Sequence, residues 1–94
     1  MKTKTLDRVY KDADKIPVQA KLEAAQKLEK LEKAANLGEM ENVEKLKGTK
    51  EPYYRLKFGN YRFLLYHDTK TDTVEVLTLK HRKDAYKKQN LPWR

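Results

Sequence analysis

Arg55 and Lys57 stand two positions apart, in a stretch where Tyr54, Leu56 and Phe58 fill the alternate positions. This is the period of a strand, so the two cations leave one face and the apolar side chains leave the other. Arg62 comes shortly after Gly59 and Asn60, a pair that marks a tight turn and brings Arg62 back to the same neighbourhood. Arg82 closes a later apolar run, and Tyr86 follows four residues on. Convergence of these residues on one face makes a grip for a phosphodiester. Arg offers a planar fork of donors and Lys a compact charge. Tyr stacks on a base or shares a proton. Solvated sheet faces carry the same residue types, so spacing alone specifies a phosphate-compatible surface and no more.

The elements that must position these residues follow from periodicity. Residues 53–58, 61–66 and 74–79 read as three strands joined by a tight turn and by a polar turn over 67–73. Connections this short imply an antiparallel meander. A helix over residues 18–37 is the clearest single element. Val18, Leu22, Ala25, Leu28, Leu31 and Ala35 recur at spacings of three and four, and Gly38 stands where a helix C-cap belongs. Glu29 and Lys33, and likewise Glu23 and Lys27, are four apart in the favourable order. A shorter helix over 7–15 precedes Ile16 and Pro17, which break the two apart. An opening strand near 2–6 is weakly signalled, and 39–52 shows no strong period. The tail from Lys83 to Gln89 reads as a short helix. Helices followed by strands argue for an α+β fold.

The chain has 94 residues, the length of a single domain, and a formal charge of +8. Residues 51–94 hold 10 Lys and Arg against 5 Asp and Glu, while residues 1–50 hold 12 against 9, so the excess of cations is concentrated in the later half. Such a balance attracts polyanions. There is no Cys, hence no disulfide framework and no Cys-based zinc site, and two His are too few for a metal cluster. No cofactor is called for. No signal peptide or membrane-spanning run is apparent, and a reducing cytoplasm fits.

The ordered set of Tyr54 to Tyr66, Val74 to Leu77 and His81 to Tyr86 resembles the RelE/ParE superfamily of bacterial toxins. The resemblance is tight over residues 46–86, where Leu46, Lys47 and Gly48 lead into the hairpin. Over the first 45 residues only the helix, Ile16-Pro17, helix layout fits.

The resemblance implies a small antiparallel sheet with two N-terminal helices packed on one face and a short C-terminal helix, spanning 1–94 as one toxin domain. It also implies one of two activities. RelE-like members cleave mRNA in the ribosomal decoding site, and ParE-like members inhibit DNA gyrase without the cleavage residues. Carried over residue by residue, the catalytic set is Lys57, Arg62, Arg82 and Tyr86, which favours the RelE branch. RNA binding falls to Arg55, Lys57, Arg62, Lys80, Arg82 and Lys83. Arg55 departs from the family, which has Lys there; Arg is a poor base, so Lys57 is the better proton acceptor. His81 is the runner-up for proton transfer, but it falls on the face opposite Arg82 and reads as structural. The implied partners are a cognate antitoxin and mRNA on the ribosome, with contacts to ribosomal RNA and none to membrane. A non-catalytic RNA-binding homologue is the remaining alternative.

Overall fold

The computed structural model describes residues 1–92. The chain runs β1 (Lys2–Thr5), α1 (Asp7–Ala13), α2 (Val18–Lys33), β2 (Val43–Lys45), β3 (Tyr53–Phe58), β4 (Tyr61–Asp68) and β5 (Thr73–His81). Single 3-10 turns lie at Leu37–Glu39 and Lys88–Asn90.

The expected hairpin is the centre of the sheet. Phe58 pairs with Tyr61 across the two-residue turn, and Gly59 takes a φ of +53° that costs glycine little. The strand order is β1-β5-β4-β3-β2. Two strands thus flank the three-stranded meander: β2 antiparallel to β3, and β1 parallel to β5. The fold is α+β, with a mostly antiparallel five-stranded sheet.

One sheet face carries the core. Leu56, Phe58, Phe63, Leu65, Val74, Val76 and Leu79 are buried there together with Val9 of α1 and Ala24 and Leu31 of α2. Val74, Val76 and Leu79 break strict alternation, and the structure supplies the reason. A bulge shifts the β4–β5 register: Leu65 pairs with Val76 but Leu64 with Thr78. The extra residue, Leu77, moves the phase by one, so Leu79 returns to the core face and Arg82 falls on the parity of Thr78 and Lys80.

Three expectations change. Helix α2 stops at Lys33, because Ala34 turns extended (ψ 145°) and Glu39 takes the Ala35 N–H at 3.0 Å. Gly38 therefore sits in the 3-10 turn and caps nothing. The apolar stripe of α2 is only partly core. Leu31 is fully buried, but Val18 is 72% exposed and Leu22 55% exposed. The tail forms turns rather than an α-helix. Lys87 is extended, and the Asn90 side-chain amide donates to the Asp84 carbonyl at 2.7 Å. Of the two expected α2 ion pairs, the structure makes Lys33 to Glu29, at 2.8 Å.

Candidate nucleic-acid interface

The second sheet face is where the cations gather. Cross-strand register sets Lys57 opposite Arg62, Arg62 opposite Lys80, and Arg55 opposite Leu64. The segment after β5 starts at the hairpin turn, where the Arg82 N–H donates to Asn60 O at 2.7 Å. It then crosses this face: Ala85 and Leu91 are buried, and the Tyr86 hydroxyl accepts from Arg55 Nη1 at 3.5 Å. Leu64 and Thr78, which alternation sends to this face, are buried too.

The cations differ in what already holds them. Arg55 donates through Nη2 to the Glu44 carboxylate on the edge strand β2, while its buried Nε has no partner. The Tyr86 hydroxyl, and then Glu44, hold the Arg55 guanidinium above its ordinary pKa. In return Arg55 lowers Glu44, first by hydrogen bonding and then by charge, with Lys57 and Lys47 adding to it. Arg62 uses Nη1 to brace its own turn, donating to Gly59 O at 3.0 Å and Tyr61 O at 2.7 Å. Lys57, Arg82 and Lys83 make no side-chain hydrogen bond or salt bridge among the described residues. Arg82 and Lys83 are exposed and Lys57 is half-buried.

Lys80 does not join them. Its ammonium lies 2.8 Å from Asp12 of α1, a buried carboxylate that also accepts the Leu79 N–H at 3.2 Å. The pair pins α1 to the edge of β5 beyond the end of β1. His81 lies on the core face, edge-on to Tyr61 with ring centroids 5.6 Å apart. Its Nδ1 accepts the Lys83 N–H at 3.2 Å, a structural bond.

Two residues of consequence escaped the sequence: Glu44 and Asp12. Glu44 precedes Arg55 by 11 positions in the chain, and only the β2–β3 register, which sets the two directly opposite, brings their charges together. Val43 and Leu46 are three apart, which hid β2 from a period-two search. No group of His, Cys, Asp and Glu among the described residues is suited to hold a metal ion. No helix among them is long and apolar enough to cross a membrane.

The fold has close structural relatives. A chain of the RelB-RelE antitoxin-toxin complex from Methanococcus jannaschii superposes with a TM-score of 0.73 at 23% identity, covering 90% of this chain and 96% of that one. A chain of the archaeal RelE-RelB complex from Pyrococcus horikoshii OT3 gives 0.69 at 27% identity, covering 86% and 93%. The isolated E. coli RelE toxin gives 0.64 at 17% identity, covering 85% and 82%. A sequence comparison with curated proteins finds no match. Residues 3–86 match the family model of the ParE toxin of type II toxin-antitoxin systems, parDE, and the chain belongs to that family, within the RelE/ParE superfamily of toxins.

Proposed function

We propose that this toxin, acting as one domain across residues 1–94, is an endoribonuclease that cuts mRNA on the ribosome in the cytoplasm and so stops translation. The observation that carries this reading is the return of the tail over the hairpin. It brings Tyr86 to Arg55 and leaves the Lys57 and Arg82 side chains without a hydrogen-bond or ion-pair partner among the described residues. Resemblance in fold to RelE toxins supports it.

In the proposed reaction the RNA 2′-OH attacks its own 3′ phosphorus. The neutral amine form of Lys57 takes the 2′ proton, the bond to O5′ breaks, and the ammonium so formed gives that proton back to O5′ through solvent. The products are a 2′,3′-cyclic phosphate and a 5′-OH. Arg62, through Nη2 and Nε, and Arg82 hold the charge that grows on the phosphate oxygens. Tyr86 stacks on or orients a base, and its hydroxyl, already accepting from Arg55, keeps its own proton to donate. Arg55 and Lys83 add backbone contacts. The ribosome supplies the in-line geometry that so sparse an acid–base set lacks, and the charge of +8 suits docking on ribosomal RNA.

The family match keeps a second reading alive, inhibition of DNA gyrase, since the matched model is a ParE toxin. A translation extract programmed with one mRNA, run beside a supercoiling assay, separates them. New 5′-OH ends that disappear with Arg82→Ala and Tyr86→Phe support the nuclease. Unbroken mRNA with blocked supercoiling overturns it.

The antitoxin is the proposed occupant of the helical face. Tyr10, Val18 and Leu22 are large apolar residues left exposed on α1 and α2. Beside them a cavity of about 120 Å³ opens between the helices onto Phe63 and Leu79, with Lys21 at its border. An amphipathic helix with acidic flanks fits such a groove. Leu22→Glu is expected to leave the toxin active but to weaken antitoxin binding by about 2 kcal/mol, roughly thirtyfold. Calorimetric titration with the antitoxin measures it, and unchanged affinity moves the contact elsewhere.

A further inference from the structure

Among the described residues, Arg55 is the one cation of the second face whose outward donors are both engaged, by Glu44 on one side and Tyr86 on the other. Tyr86 is a neutral acceptor that belongs to the same face. Glu44 is different: it is an anion, it comes from the neighbouring edge strand, and it meets the guanidinium as a phosphate oxygen would. Its side chain is 54% exposed and that of Arg55 31%, so the pair stands at the surface, open to exchange. Lys57 and Lys47 also act on Glu44, so the carboxylate sits among the cations that a polyanion would seek. A cavity of about 290 Å³ lies against this pair, lined by Glu44, Lys45, Leu46, Lys47 and Arg55.

We propose that Glu44 is an internal competitor for phosphate: it occupies Arg55 in the unliganded toxin and must swing aside before a nucleic-acid backbone can take that position. The inference rests on the reading of the second face as an RNA surface and adds a restraint built into that surface. An exposed carboxylate on a three-residue edge strand can rotate away without disturbing the core. Its departure uncovers Arg55 on the same strand face as Lys57. The restraint lowers affinity for loose RNA in solution and leaves tight engagement to a substrate that brings many phosphates at once, as a ribosome does.

The test is binding of a labelled oligouridylate to the full chain. Glu44→Ala is expected to bind about fivefold tighter than wild type, the equivalent of one exposed ion pair released. Its affinity should also fall more steeply with salt, since Arg55 now exchanges a small counterion rather than Glu44. In an Arg55→Ala background the same change should gain nothing. Equal or weaker binding by Glu44→Ala overturns the proposal. So does an equal gain when Arg55 is absent, or an equal gain from Glu51→Ala, an exposed acid in the loop before β3. Loss of the nuclease reading shows separately, as intact mRNA in the translation extract while oligouridylate binding responds as described.

Discussion

Lys57→Ala is expected to slow mRNA cleavage on the ribosome by about a hundredfold or more, the usual contribution of one positioned proton acceptor. The side chain stands on β3 directly across from Arg62 and has no hydrogen bond or salt bridge among the described residues. Its removal leaves no buried group unsatisfied, so stability should change by no more than about 0.5 kcal/mol. Lys57→Arg is the more telling variant. It keeps the charge and the reach toward phosphate, but a guanidinium does not give up its proton. RNA binding should therefore survive while the rate of 5′-OH formation stays near that of Lys57→Ala. A Lys57→Arg protein that cuts at the wild-type rate would remove Lys57 from proton transfer and leave it a phosphate contact.

Asp12→Ala is expected to cost about 3 kcal/mol of folding stability. Asp12 is 8% exposed and accepts twice, from the Lys80 ammonium and from the Leu79 N–H. Truncation strands both donors at the joint between α1 and β5. The Lys80 side chain is 26% exposed and can recover some water, which holds the figure at the low end for a broken buried pair. Domains of this size commonly total about 5–10 kcal/mol, so the melting temperature should drop by ten degrees or more. Urea unfolding measures the change. The Lys80→Met, Asp12→Leu double variant should regain most of the loss, because a pair replaced by packing apolar groups leaves no charge stranded. A loss below about 1 kcal/mol for Asp12→Ala would mean that water already reaches the pair. The same contact assigns Lys80 its effect: Lys80→Ala should be felt in stability far more than in RNA affinity.

The contrast between Lys57 and Lys80 marks how far residues could be read before the fold. Both are strand cations that the Lys57–Arg62–Lys80 register brings to one face, and resemblance assigned both to RNA binding. What separates them is Asp12, far away in the chain, and no local pattern announces that α1 will pass the end of β1 and reach β5. Glu44 escaped for the same reason: its meaning comes from a neighbour across β2 and β3. Elements that bury a periodic side were legible, as in the Tyr54, Leu56, Phe58 alternation and its turn at Gly59 and Asn60. Elements held by edge pairing were less so: β1 left only the weak signal near 2–6, and β2 left none. β1 is a polar run of Lys and Thr, and β2 is three residues long. In α2 the period was right but its meaning was divided, since Leu31 faces the sheet while Val18 and Leu22 face outward. A 3.6-residue stripe tells which side of a helix is apolar and not what covers each end of it.

The parallel pairing of β1 with β5 has a consequence for how the toxin comes into being. Lys2 to Thr5 meet Thr73 to Val76, so the sheet closes between an early segment and one made much later. A nascent chain leaves the ribosome from its N-terminus, and a contact of such long range forms late and slowly. Until residue 76 has cleared the exit tunnel, β1 has no partner and α1 has no β5 edge on which to fasten Asp12. Arg82 and Tyr86 emerge later still. During that interval α1 and α2, the helices that carry Tyr10, Val18 and Leu22, are already outside.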